Sequence, residues 1–168
     1  ENGAEVQRIA LTPPAAPFYN SELEIGFKNV FTNLAAEADR LLVSQYYQGH
    51  YGDTVKRVIE LGEPAKEILR LETPPPISFH SDLSRDGSLI AMGGLPNGDV
   101  RLWSTDNFQQ IRTLQGHNNT VTQAVFSPDG SMLATTSADG TVRLWNTSSW
   151  DRTQTLYGHA GWVLQSAF

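Results

Sequence analysis

The sequence predicts an all-β fold built from repeated units of four short antiparallel strands. Two segments recur 42 residues apart: Val100–Trp103 returns as Val142–Trp145, and Leu114–His117 returns as Leu156–His159. A fixed period of about 40–45 residues is typical of a propeller or another array of identical units. The apolar runs between these segments are short and end in turns rich in Gly, Pro and Asp, which favours strands over helices.

The composition is that of an acidic globular chain, with 168 residues, 39% hydrophobic residues and a formal net charge of −6. The 12 Lys and Arg residues are scattered, which argues against a sequence-independent nucleic-acid site. The absence of Cys excludes disulfides and thiolate metal sites. No apolar run approaches the roughly 18 residues of a membrane span, and no signal peptide is visible. The compartment cannot be predicted.

The segment from His117 to His159 shows one unit most clearly. A Ser-Pro-Asp-Gly turn at 127–130 has Pro to preset φ, Asp to bond back to the backbone and Gly to take positive φ. A four-stranded meander cannot bury both of its faces alone, so we expect it to stack on neighbouring units. The predicted strands are Val121–Phe126, Met132–Ser137, Thr141–Asn146 and Gln154–Tyr157.

These residues resemble the WD-repeat family of β-propellers, and the opening run Glu1–Gln7 resembles the segment that precedes the first blade in its bacterial members. The segments that carry the resemblance, in the family's order and spacing, are Gly116-His117, Phe126–Gly130, Ser137–Gly140 and Val142–Trp145. The Trp-Asp signature itself is altered, because Asn146 follows Trp145. The resemblance implies a partial WD40-type propeller of four-stranded antiparallel blades. Its repeat markers are Trp103, Gly116, Gly158 and His159.

The resemblance also implies a hydrogen-bonded tetrad in the best-matched blade, formed by His117, Ser137, Asp139 and Trp145. One His nitrogen would bond to the Asp carboxylate and the other to the Ser hydroxyl, whose oxygen would accept the indole N–H. A Ser, a His and an Asp could also suggest a catalytic triad, but in the family this set is structural. We expect no catalytic, cofactor-binding or metal-binding residues, since the sequence has no phosphate loop and no His-Glu-x-x-His motif.

The first 76 residues carry no clear signature and allow two interpretations. Apolar residues between Phe27 and Leu42 fit a 3.6-residue period, which would give a small helical domain. We favour the alternative of a diverged blade with strands. The predicted domains are a leading segment with a candidate ring-closing strand (1–24), a diverged first blade (25–76), a second blade (77–115), a third blade (116–157) and the first strand of a fourth (158–168).

The surface loops are the remaining candidates for function. In the family, the loops that join the fourth strand to the next first strand, and the second to the third, cluster on one face. Aromatic residues on such a rim are typical interface anchors. The candidate partner-binding residues are Trp162, Asn119, Thr120, Tyr47 and Tyr51.

The leading interpretation is a scaffold module, without enzymatic activity, that binds protein partners. A second interpretation is a sensor or targeting propeller fused to a kinase or nucleotide-hydrolysing domain outside this sequence, and a propeller hydrolase comes last. We interpret the sequence as part of a longer protein, because it stops at Phe168 inside a repeat. An isolated fragment of about three blades should self-associate through its open edges.

Overall fold

A computed structural model describes residues 27–35, 39–47, 54–62, 64–73, 81–94, 97–107 and 109–168. Within these ranges the chain forms three antiparallel sheets of four strands, and consecutive strands are always neighbours. The first sheet contains β1 (Phe27–Ala35), β2 (Arg40–Tyr47), β3 (Thr54–Glu60) and β4 (Lys66–Thr73). The second contains β5 (Ser81–Leu83), β6 (Leu89–Met92), β7 (Val100–Ser104) and β8 (Gln110–Leu114). The third contains β9 (Val121–Phe126), β10 (Met132–Ser137), β11 (Val142–Asn146) and β12 (Arg152–Leu156).

The predicted all-β class is confirmed, since the described residues hold strands and turns and no helix. The helical alternative for the early residues is therefore wrong wherever 27–73 is described. The apolar residues of these strands also fit a 3.6-residue helical period, because the sheet is buried on both faces and adjacent positions are apolar. Leu42 and Val43 point to opposite faces, yet each is 1% exposed. The neighbours Val58 and Ile59 likewise point to opposite faces and are 0% and 2% exposed. Strands buried on both sides have continuous apolar runs that a helix period also fits.

Apolar side chains from facing sheets form two core clusters. Leu42 and Val58 of the first sheet pack with Ile90 of the second. Val100 and Leu102 of β7, on the other face of the second sheet, pack with the third sheet. The period-2 alternation of a strand explains this arrangement, because Val and Leu of the Val-Arg-Leu-Trp segment point to one face while Arg and Trp point to the other. Each sheet therefore has two different faces, of which one meets the sheet before it and the other the sheet after it.

Arginine side chains join neighbouring sheets at the end that carries the turns between first and second strands. The Arg40 guanidinium in the first sheet donates to the Gly87 carbonyl at 3.0 Å and to the Thr105 hydroxyl at 2.7 Å, both in the second sheet. Arg85 in the second sheet donates to the Pro128 carbonyl in the third at 2.8 Å. Charge-assisted bonds of this kind fix the orientation of one sheet on the next.

The turn between β9 and β10 is held by the Asp129 carboxylate. It accepts bonds from the Ser127 hydroxyl at 2.6 Å and from the Ser131 amide at 3.0 Å, and the Ser127 oxygen in turn accepts the Met132 amide at 2.9 Å. The Ser127 and Ser131 bonds lower the pKa of Asp129 to about 2. The corresponding turn at 84–88 has the same bonds around its own carboxylate, so this turn belongs to the repeat and not to one sheet.

Residues 157–168 form no strand, although the sequence predicts the first strand of a further blade there. The segment lies beside the third sheet, where the Val163 amide donates to the Ser137 carbonyl at 3.1 Å and the Ser166 amide donates to Gln123 at 2.6 Å. A strand needs a ladder partner, and the expected partner is the second strand of that blade, which is not in this sequence. The assignment of 158–168 stays a prediction. The leading segment 1–24 and Tyr51 lie outside the described residues.

Candidate functional site

A buried polar network in the third sheet joins the loop before β9 to β10, to β11 and to the turn between them. His117 Nδ1 lies 2.9 Å from a carboxylate oxygen of Asp139, and His117 Nε2 lies 2.8 Å from the hydroxyl of Thr135. The Trp145 indole N–H donates to the same Thr135 oxygen at 3.0 Å. Because the ionised Asp139 carboxylate can only accept, Nδ1 carries a proton. Burial lowers the pKa of His117, so the ring is neutral and Nε2 accepts the hydroxyl proton of Thr135. The network satisfies every polar atom that it buries.

The prediction that Ser137 belongs to this network is wrong, and Thr135 takes its place. Trp145 lies opposite Leu133 in the ladder between β10 and β11. Thr135 is two residues from that position and on the same face, within reach of the indole, whereas Ser137 is four residues away, about 13 Å along the strand. The Ser137 hydroxyl instead bonds to the carbonyls of Asn119 and Thr120, each at 3.0 Å.

The electrostatics of the network favour neutral His117 and ionised Asp139. Burial lowers the pKa of His117, and the bond to Asp139 opposes that effect only in part. Burial alone would raise the pKa of Asp139, but donors from Thr141, Asn118 and His117 hold it well below its usual range. The Thr135 hydroxyl is 0% exposed, so it cannot meet a substrate. The network has a structural role, as the resemblance implies.

The second sheet has the same tryptophan without the network. Met92 lies opposite Arg101 in the second sheet, just as Thr135 lies opposite Arg143 in the third. Met92 offers no hydroxyl, and Trp103 Nε1 is buried with no hydrogen-bond partner among the described residues. The second sheet therefore keeps the shape of the repeat and leaves one buried donor unsatisfied.

Two glycines bring the predicted binding loops together at one edge of the sheets. Gly98 has φ +76°, and a Cβ there would lie 2.2 Å from the His117 carbonyl oxygen. Gly140 has φ +81°, and a Cβ there would lie 2.8 Å from the His159 carbonyl oxygen. Each hairpin between second and third strands thus packs directly against the next interblade loop. We call this surface the loop edge; it comprises residues 97–99, 117–120, 138–140 and 159–162.

Three of the five candidate partner-binding residues lie on the loop edge around Ser137. Asn119 is exposed and Thr120 half-buried, and their carbonyls accept the Ser137 hydroxyl. Trp162 is 66% exposed, while the next residue, Val163, is 7% exposed and bonded to the Ser137 backbone. Tyr47 ends β2 and so reaches the same end of the first sheet, but its side chain is outside the described part. That Ser137 anchors both loops could not be predicted from residue types or spacing.

The repeat markers occupy different environments. Trp103 packs into the core cluster between the first two sheets. Gly116 lies against the Arg143 guanidinium, with φ +151°. Gly158 and His159 are exposed. In the described ranges, no three His, Asp, Glu or Cys residues are grouped to hold a metal ion. Nor does that part of the chain contain a helix long and apolar enough to cross a membrane.

Residues 108–146, which run from just before β8 to the end of β11, match the family model described as WD domain, G-beta repeat. This segment of the chain is a WD40 repeat. The matched segment contains the whole of the His117 network, and the three sheets are blades of a partial WD40 propeller.

Three curated proteins show how far the similarity extends. Protein hir1 of Schizosaccharomyces pombe is 36% identical over 75 aligned positions, covering 36% of this chain and 8% of that protein. Elongator complex protein 2 of Danio rerio is 40% identical over 43 residues, 26% of this chain and 5% of that protein. WD repeat and SOCS box-containing protein 1 of Homo sapiens is 39% identical over 54 residues, 32% of this chain and 13% of that protein. The chain thus spans a small part of each WD40 relative, and the resemblance to bacterial members stays a prediction.

Proposed function

We propose that this chain is a non-enzymatic interaction module that binds a protein partner through the loop edge. The WD40 repeat at 108–146 supports an interaction role, and one relative, Elongator complex protein 2, is by its name a component of a complex. The observation that carries the proposal is the position of Trp162. Its indole is 66% exposed although the neighbouring Val163 is buried and bonded to the third sheet.

Anchoring of the backbone gives Trp162 the properties of an interface anchor. A large aromatic side chain held by a fixed backbone loses little conformational freedom when a partner covers it. Trp, Tyr and Arg dominate the residues at which truncation weakens protein complexes most. Asn119 is exposed beside it on a loop whose carbonyls are fixed by Ser137, so it supplies a polar group next to the apolar anchor.

The test compares Trp162→Ala with Ile111→Ala in affinity capture. Ile111 is 48% exposed on β8 and is not part of the loop edge, so its variant controls for lost apolar surface. A partner of the loop edge is captured by the original chain and by the Ile111 variant but not by the Trp162 variant. With that partner purified, we expect Trp162→Ala to raise the Kd by about thirtyfold or more, as for other central aromatic anchors.

Thermal unfolding completes the test. Because Trp162 is mostly exposed, its loss should change stability by no more than about 0.5 kcal/mol. Equal loss of binding in both variants would mean that the partner does not use the loop edge. A large fall in Tm for Trp162→Ala would mean that the indole is part of the core.

A further inference from the structure

Arg143 is a buried cation with unsatisfied donors. Its side chain lies on β11 between the second and third sheets and is 6% exposed. Its Nε and Nη1 atoms are enclosed and have no hydrogen-bond partner among the residues that the structure describes. Burying a guanidinium without a partner is costly, so an anionic group would be strongly favoured beside it.

Arg152 brings a second guanidinium to the same place. A Cβ on Gly116 would lie 2.1 Å from Arg143 Nη1 and 3.4 Å from Arg152 Nη1, so both guanidinium groups lie beside this glycine and close to each other. Burial lowers the pKa of Arg143, and the charge of Arg152 lowers it further. The two positive charges repel each other, and a bound anion beside them would offset that repulsion. Arg152 is exposed, so a ligand from solvent meets it first.

Among the described residues, no carboxylate forms an ion pair with either arginine. Asp139 is close enough to influence the pKa of Arg143, but its oxygens already accept His117, the Asn118 amide, and both the amide and the hydroxyl of Thr141. In the described ranges, neither arginine has a carboxylate within 4.0 Å. The two positive charges are thus left for a group from outside.

The repeat does not require this arrangement. The equivalent residue in the second sheet, Arg101, is exposed, so the Val-Arg-Leu-Trp segment folds without burying its arginine. The side chain of Tyr157 is 80% exposed and lies close enough to Arg143 to influence its pKa. A ligand with apolar contacts beside its negative charge fits this surface better than a free ion does.

We propose that Arg143 and Arg152 form a binding site for a carboxylate side chain of an acidic peptide segment in a partner protein. A guanidinium matches a carboxylate with two parallel hydrogen bonds, so the exposed Arg152 would bind the carboxylate and the buried Arg143 would add its positive charge from behind. The site lies on the groove between the second and third sheets and is separate from Trp162, so it goes beyond binding at the loop edge.

Fluorescence anisotropy of labelled hexaglutamate with the full chain tests the site. Arg152→Gln removes the exposed member of the pair, and Arg101→Gln removes one equal charge at the equivalent exposed position. We expect Arg152→Gln to weaken hexaglutamate binding by about tenfold, the usual effect of losing a hydrogen bond to a charged group. Arg101→Gln should stay within about twofold, as for an exposed charge. Arg152→Lys should bind with intermediate affinity, because it keeps the charge and loses the planar fork.

Three results would overturn the proposal. The first is no binding of hexaglutamate to the original chain, and the second is an equal loss in the Arg152 and Arg101 variants, which would show a net-charge effect. The third is inorganic phosphate competing as tightly as hexaglutamate, which would assign the pair to a free anion. Trp162→Ala should leave hexaglutamate binding unchanged, so failure here and failure of the loop-edge proposal are distinguishable.

Discussion

At the residue scale, the hydroxyl of Thr135 carries two bonds of the buried network. It donates to His117 and accepts from Trp145 at 2.8 and 3.0 Å. Thr135→Val keeps the shape and removes the hydroxyl, so a histidine nitrogen and an indole N–H lose their partner. We expect a loss of about 2–4 kcal/mol in the free energy of unfolding, measured in urea.

A matched comparison with Ser137→Ala separates the two assignments of the network. The Ser137 hydroxyl bonds to loop carbonyls and not to the indole. In a ¹⁵N-correlated NMR spectrum, Thr135→Val should therefore shift the Trp145 indole signal, and Ser137→Ala should leave it in place. The reverse pattern would restore Ser137 to the network.

The protonation of His117 predicts a pH dependence of stability. Burial lowers its pKa in the folded chain, so near the ordinary His pKa of about 6.5 the folded state binds fewer protons than the unfolded state. Stability is then full above about pH 6.5 and falls as the pH drops toward the lowered folded-state pKa. Urea midpoints at pH 7.5 and 5.0 should differ more for the original chain than for His117→Gln. Parallel pH profiles would contradict this origin.

The resemblance to the WD-repeat family was enough to predict three of the four network members. His117, Asp139 and Trp145 occupy family positions, and all three lie in the network. The fourth member depends on the cross-strand register. Thr135 and Ser137 point to the same face of β10, and only the pairing of Trp145 with Leu133 shows which hydroxyl the indole reaches. The distance from the Trp145 indole to a hydroxyl on the neighbouring strand depends on how the two strands pair, and the spacing of residues along one strand does not give that pairing.

At the element scale, the second and third sheets offer a comparison of one tryptophan in two settings. Trp145 donates to Thr135, whereas the Trp103 indole N–H is buried and has no partner in the part of the chain that the structure describes. Replacing each by Phe removes the same atoms but only one hydrogen bond. We expect Trp145→Phe to destabilise the chain by about 1–3 kcal/mol more than Trp103→Phe, measured by urea unfolding. Equal losses would mean that Trp103 has a donor contact of its own.

The predicted strands agree best where turns punctuate the sequence. The Ser-Pro-Asp-Gly turn separates β9 from β10 at the predicted residues. In the first sheet the apolar runs fitted a helix as well as a strand. Burial of both faces removes the alternation of apolar and polar residues that distinguishes a strand. The convergence of Arg143 and Arg152 could not be read from sequence, since Arg101 in the same motif is exposed.

At the scale of the whole molecule, equivalent faces of the second and third sheets differ in burial. The third sheet covers this face of the second sheet, but the same face of the third sheet is more exposed. Val100 and Leu102 are each 0% exposed against the third sheet. Their equivalents Val142 and Leu144 are half-buried, and Leu156 and Leu164 beside them are 41% and 61% exposed. An apolar surface of this kind promotes association.

We therefore expect the 168-residue chain to self-associate as its concentration rises, which sedimentation velocity would detect. Leu156→Lys should weaken association by placing a charge on the open face. Ile111→Lys, a matched change at a site 48% exposed on the second sheet, should leave it unaltered. A monomer at all concentrations, or equal effects of the two variants, would contradict a role for this face.

The strand order also has a consequence for how the chain is made. Each sheet pairs only consecutive strands, so every ladder is complete within one continuous stretch of polypeptide. The four strands of one sheet lie within a stretch of roughly 40 residues, which leaves the ribosome in roughly 2–8 seconds at a synthesis rate of about 5–20 residues per second. Each sheet can close its ladder before the next has been translated. Only the second face of each sheet stays uncovered until the next sheet has been synthesised. Translation thus adds the sheets in the order in which they stack.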